Sequence, residues 1–157
     1  MQHLNPKTSQ GAVDALGHLV GAHATLTRQL SAQLVDEHGL TMSEYEVLFL
    51  LSREPEHAMR RIDLSREVRL SPSGITRMLD RLETTGLVKK GNCPQDARVT
   101  YAVLTEAGMN KLRECAPAHF AAVERLIGER LSAEEVESLS NLLSRLSDLD
   151  DDCSVGD

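Results

Sequence analysis

Residues 60–104 read RRIDLSREVRLSPSGITRMLDRLETTGLVKKGNCPQDARVTYAVL, and this stretch decides the fold. Ile62 to Val68 predicts a short helix and Arg69 to Ser71 a turn. Pro72 to Thr85 predicts a second helix, whose Ile75, Met78, Leu79 and Leu82 recur at i, i+3, i+4 and i+7. That spacing places all four on one face and marks it for burial. Ser71 is set to N-cap the second helix, Pro72 takes the first helical position where no amide hydrogen is needed, and Gly86 supplies a left-handed stop. Leu87 to Lys90 reads as one strand and Val99 to Leu104 alternates as another. The loop between them holds Gly91, Asn92, Pro94, Asp96 and Arg98, a turn-rich and polar set. The pattern is a helix-turn-helix followed by a two-stranded wing, an arrangement suited to DNA.

The face of the second helix opposite its apolar stripe presents Ser73, Thr76, Arg77, Asp80 and Arg81. Arginine bonds guanine bidentately, and threonine touches a thymine methyl or accepts a hydrogen bond. Arg77 and Arg81, four apart, share that face. The alternative is a solvated surface on which Asp80 pairs with an arginine to little effect. Charge distribution favours DNA. The chain as a whole carries −7, yet Arg60 to Tyr101 holds nine Lys or Arg against five acids, a net +4 that leaves −11 elsewhere. A basic lobe in an acidic body concentrates phosphate attraction on one surface.

The run from Ser71 to Glu83, then Gly86-Leu87-Val88, Asp96-Ala97-Arg98 and Leu104-Thr105-Glu106-Ala107-Gly108, resembles the MarR family of winged-helix regulators along nearly the whole chain. A helix-turn-helix alone is common, whereas these pieces in this order and spacing are specific. The resemblance implies a homodimeric, ligand-responsive transcription factor, usually a repressor, acting on a palindromic operator. It implies that Arg98 enters the minor groove and that Asp96 orients it. Ala97 departs from the commoner D-R-R form, which weakens the expected basic contact there but leaves the Asp96 and Arg98 pair intact. The DNA-binding set expected is therefore Ser71, Ser73, Thr76, Arg77, Arg81, Lys89, Lys90, Asp96 and Arg98.

The fold class expected is mainly α with a small β-wing, in a single domain of residues 1–157. Residues 41–104 form the DNA-binding lobe, 9–37 and 105–149 the dimerisation helices, and 150–157 a disordered tail. The first helix, about Ser9 to Glu37, spaces Val13, Leu16, Val20, Leu26, Leu30 and Leu34 helically and ends at Gly39. Thr41 with Glu44 and Ser43 with Glu46 offer overlapping capping boxes for the next helix. Thr105 caps a long helix to about Arg130, bent near Pro117. Ser132 with Glu135 caps the last, whose Leu139, Leu142, Leu143, Leu146 and Leu149 make a leucine stripe. Such a stripe completes an intramolecular core or meets a second copy. The resemblance selects the second reading, with Leu16, Val20, Leu139, Leu142, Leu143 and Leu146 at the interface and two recognition helices about 34 Å apart.

Relatives often bind phenolic or carboxylate ligands in the crevice between dimerisation helices and winged lobe. His18, His23, Arg28 and Tyr45 are the candidates here, since they offer hydrogen bonds to an anionic or phenolic group. His18 and His23, five apart, sit too far around a helix to share a metal, so no metal site or cofactor is expected. Cys93, Cys115 and Cys153 make neither a disulfide framework nor a zinc motif. A thiol-based redox response is the alternative, with Cys93 near Lys89 and Lys90 as its candidate. Peroxide-sensing relatives carry their cysteine in the first helix, where this chain has none. The sequence contains no G-x-S-x-G, phosphate loop or H-E-x-x-H, which argues against an enzyme. A winged helix used only for protein interaction is the remaining alternative, and retention of Arg77, Arg81, Lys89 and Arg98 argues against it. No signal-peptide apolar region occurs in Met1 to Gln10, and no run nears the roughly 20 apolar residues of a membrane span, so the cytoplasm is expected.

Overall fold

A computed structural model describes residues 6–93 and 96–147, and the side chains of 6–9, 93, 96 and 97 are outside that description. The order is α1 (Pro6–His38), α2 (Met42–Arg53), β1 (Ala58–Arg60), α3 (Arg61–Glu67), α4 (Pro72–Thr84), β2 (Val88–Cys93), β3 (Asp96–Leu104), α5 (Glu106–Val123) and α6 (Ala133–Ser147). The fold is mainly α with one small antiparallel sheet, and the chain divides after His119 into two compact units.

In the first unit, α1 stops where Gly39 turns left-handed at φ 68°. Thr41 then starts α2 with a complete capping box: the Glu44 amide donates to Thr41 Oγ1 at 3.2 Å and the Thr41 amide to Glu44 Oε2 at 2.8 Å. Of the two overlapping boxes, the Thr41 box forms. The apolar side chains of α2 (Val47, Leu48, Leu51), α3 (Leu64) and α4 (Ile75, Met78, Leu79, Leu82) close on Leu34 of α1, Ala102 and Leu104 of β3 and Leu112 and Cys115 of α5. Burial of this size is the main stabilising contribution to the unit.

The turn between α3 and α4 is set by Arg69, left-handed at φ 51°, and by Ser65, whose Oγ donates to the Leu70 carbonyl at 2.7 Å. Ser71 caps α4 by accepting from the Gly74 amide at 3.1 Å. A side chain at Gly74 would meet that same Ser71 oxygen at 3.1 Å, so the small residue gives the cap its room. Gly86, at φ 74°, ends the segment.

The sheet departs from expectation in two ways. Its order is β1-β3-β2, so a strand unseen in the sequence, Ala58–Arg60, pairs with Val103, Ala102 and Tyr101 of β3. Three residues are too few to show alternation. The wing strands also run further than expected, which moves Gly91, Asn92, Asp96 and Arg98 from the loop into β2 and β3. Cross-strand hydrogen bonding carries the pairing past the residues with strand preference, up to a register shift at Asn92/Cys93.

Thr105 and Gly108 join the wing to α5. Thr105 Oγ1 accepts from the Gly108 amide at 3.0 Å and donates to the carbonyls of Gly86 at 2.6 Å and Leu87 at 3.0 Å. A Cβ on Gly108 would fall onto the Leu87 carbonyl oxygen. Helix α5 continues as α-helix through Pro117 to Val123, and a π-turn follows over Glu124–Gly128.

In the second unit, Ser132 and Glu135 form the expected reciprocal cap, at 2.8 and 3.3 Å. Helix α6 buries none of its residues, and Leu139, Leu142 and Leu146 are 40%, 55% and 55% exposed. Leu149 and the expected disordered tail, 150–157, lie outside the described residues. No helix among the described residues is long and apolar enough to cross a membrane.

Candidate nucleic-acid interface

Helix α4 is anchored from one side and open on the other. Ile75 and Leu82 are almost fully buried, with Met78 and Leu79 close behind, while Ser71, Ser73, Arg77, Asp80 and Arg81 are exposed. The polar residues on this face are not equivalent. Ser71 is occupied as the cap, with its Oγ also 3.2 Å from that of Ser73. Thr76 donates its hydroxyl proton to the Pro72 carbonyl at 2.8 Å and accepts from the Arg61 guanidinium at 3.3 Å. What Thr76 can still offer a base is an acceptor and a methyl group.

The basic residues divide in the same way. The Arg77 side chain has no hydrogen bond or ion pair with another described residue, and the side chain of Lys89, exposed on β2, is likewise without one. Arg81, by contrast, lies 2.7 Å from Glu44 of α2. Lys90 lies 3.2 Å from Asp80 and 3.0 Å from Glu83, both on α4. Its ammonium is held protonated above the ordinary lysine range, first by the hydrogen bond to Glu83 and then by that to Asp80. Neither pairing is legible from spacing along the chain, which places both Arg81 and Lys90 in the expected DNA-binding set. Arg98 is exposed on β3, and the side chain of Asp96, with which it was expected to act, lies outside the described residues, as does that of Cys93.

The four expected ligand residues differ in burial. His18, His23 and Arg28 are exposed on α1. Tyr45 is buried, stacked on Phe49 with ring centroids 6.4 Å apart and tilted against His119 at 4.4 Å. Burial raises the Tyr45 hydroxyl pKa, with a smaller push in the same direction from Cys115. Cys115 is fully buried and its thiol pKa is pushed up by that burial, so it lacks the thiolate character of a redox sensor. Of the residues expected at a dimer interface, Leu16 and Val20 on α1 are 61% and 59% exposed, with Val13 beside them at 61%. On α6, Leu142 and Leu146 are exposed and Leu143 is half-buried.

Sequence reasoning missed Glu44 as a partner of α4 and His119 as a buried neighbour of Tyr45. The capping box had marked Glu44, but nothing local pointed to Arg81.

Residues 40–100 match the profile of the MarR family. The chain is 34% identical over 112 residues to the HTH-type transcriptional regulator MhqR of Bacillus subtilis (strain 168), spanning 71% of this chain and 75% of that protein. It is similar to the solved structure of AbsC, a MarR family transcriptional regulator from Streptomyces coelicolor, at 34% identity and a TM-score of 0.80 over 94% of this chain and 97% of that one. A second MarR family regulator from that organism, solved in complex with DNA, superposes at a TM-score of 0.81 with 28% identity, over 85% of this chain and 87% of that one.

Proposed function

Because the chain belongs to the MarR family of transcriptional regulators, we propose that it is a homodimeric DNA-binding repressor, which a small aromatic, phenolic or otherwise anionic ligand releases from a palindromic operator. As in its relatives, the role is regulatory and not enzymatic. The observation that carries the proposal is the state of Arg77. It stands exposed and unpaired among the described residues, on a helix whose other face is locked into the core. A guanidinium without a partner among the described residues, within two turns of a capped helix start, is placed to bond a guanine edge in the major groove. Ser73 and Thr76 flank it. Lys89 and Arg98 on the wing strands take the backbone or minor groove, and Asp96 orients Arg98.

Dimerisation is supported by the apolar faces of α1 and α6, which a single chain leaves in water. Two-fold pairing covers them and doubles the α4 units. In this reading residues 1–157 act as one regulatory unit in the cytoplasm, where 41–104 bind DNA and 9–37 with 105–149 dimerise. The ligand site draws on His18, His23 and Arg28, which a partner's approach to α1 would enclose.

A mobility-shift titration against DNA upstream of the chain's own gene, with a shuffled duplex as competitor, tests the reading. A shift resistant to the competitor is expected, and equal loss to both duplexes would leave only non-specific binding.

A further inference from the structure

We propose that Arg81 is a positioning residue of the recognition helix and reads no base, holding the second half of α4 to the start of α2 through Glu44. The proposal rests on the DNA-binding reading and refines which side chains of α4 serve it. Arg77 and Arg81 sit one turn apart on the same helix and look interchangeable in sequence, but the fold gives them different surroundings.

Glu44 is 7% exposed, a position that a carboxylate occupies only with partners. Both of its oxygens are committed. Oε2 accepts from the Thr41 amide at 2.8 Å and the Thr41 hydroxyl at 3.0 Å, closing the cap of α2. Oε1 is left for Arg81 at 2.7 Å, the one cation paired with Glu44 among the described residues. The pair is one-sided, since the Arg81 side chain stays 62% exposed while that of Glu44 is 9% exposed. Breaking it therefore costs little at the arginine and much at the carboxylate, which keeps its burial and loses its counter-charge. The apolar stripe of Ile75, Met78 and Leu82 sets the depth of α4 in the core. An ion pair on a neighbouring element sets its rotation, and with it the direction in which Arg77 points. Glu44 follows directly on the corner made by Gly39 and Thr41 at the end of α1, so the pair also ties that corner to the DNA-reading helix.

The test is selection of binding sites from a randomised duplex pool, followed by affinity and base-preference profiles for wild type, Arg81→Ala, Arg81→Lys, Glu44→Gln and the Arg81→Ala, Glu44→Gln double variant. Glutamine at the third helical position still closes a capping box but gives Arg81 no charged acceptor. Each single variant other than Arg81→Lys is expected to weaken the selected site about tenfold, and the double variant no more than either. Base preference at every position should stay as in wild type, and Arg81→Lys should recover part of the affinity. Thermal melts of each variant separate this from unfolding, and Arg81→Lys keeps the test open if the alanine variant does not fold. A preference lost at one position of each half-site in Arg81→Ala would make Arg81 a base reader and overturn the proposal. Equal or tighter binding by Glu44→Gln would also overturn it, since Glu44 would then only hold Arg81 away from DNA. Should wild type itself select no sequence, the DNA-binding reading falls first, and that result is visible before any variant is compared.

Discussion

The imidazole of His119 lies against the phenol of Tyr45 with ring centroids 4.4 Å apart and planes tilted by 44°, joining α5 to α2 inside the first unit. His119 is 7% exposed, and burial lowers its pKa below the ordinary histidine value of 6.5. Its ring neighbour Tyr45 is likewise shifted toward its neutral form, chiefly by burial.

A pH dependence of stability follows from this pair. The folded-state pKa lies below the unfolded one, so between the two the unfolded chain binds more protons and stability falls as pH drops below 6.5. The slope from this group is at most about 1.4 kcal/mol per pH unit, and its contribution is fully present above pH 6.5. His119→Phe keeps a ring against Tyr45 and should flatten urea-denaturation midpoints between pH 7 and 5. An unchanged slope in that variant would assign the dependence to other groups.

The divided state of the basic residues predicts unequal alanine effects on DNA. Arg77→Ala is expected to cost about 1 to 3 kcal/mol on the operator and to relax preference at one position in each half-site. Lys89→Ala should weaken binding to all sequences and lower the salt slope by about one unit. Lys90→Ala should change that slope less than Lys89→Ala, because Asp80 and Glu83 already neutralise its charge. Salt titrations of the three variants on operator and random duplex measure each term; a larger effect at Lys90 than at Lys89 would show that DNA strips it from those carboxylates.

Leu142 and Leu146 are each 55% exposed in the single chain, so charging them burdens the protomer little. At a dimer interface the same charges would be buried without partners, at several kcal/mol. The Leu142→Asp, Leu146→Asp variant should therefore run as a folded monomer in light scattering, with the helical circular dichroism of wild type. Retention of a stable dimer would move the interface off α6.

Gly108→Ala and Ser71→Ala test the two joints that set the winged unit. The added methyl at Gly108 meets the Leu87 backbone carbonyl, which already accepts from Thr105. Backbone gives way less than a side chain, so a loss of about 1 to 3 kcal/mol is expected. Ser71→Ala removes the α4 cap and should cost about 1 kcal/mol. Denaturant midpoints in which Ser71→Ala is the more damaging would reverse this ranking.

For the ligand response, salicylate and protocatechuate are the first compounds to titrate. A ligand that favours free protein over DNA-bound protein a hundredfold lowers DNA affinity by the same factor, about 2.7 kcal/mol, and operator DNA weakens ligand binding equally. The His23→Ala, Arg28→Ala variant should bind operator normally and need more ligand for release. Release at the wild-type concentration would place the ligand elsewhere.

Local chemistry was legible in the sequence wherever cause and effect lie within one turn of chain. Ser71 capping α4, Thr41 with Glu44, Ser132 with Glu135, and the left-handed Gly39 and Gly86 all follow from residue type and spacing, as does the buried stripe of Ile75, Met78, Leu79 and Leu82. These determined the order of the helices and, with the resemblance, the family. Only the tertiary structure decided which exposed cations are free. Glu44 and Arg81 sit on different helices, Lys90 reaches back from β2 to Asp80 and Glu83, and β1 exists because β3 offers it an edge. An ion pair or a strand pairing between distant residues depends on where packing brings their backbones. Neither periodicity nor propensity encodes that distance, so Arg77 and Arg81 read alike along the chain and differ once α2 is folded against α4.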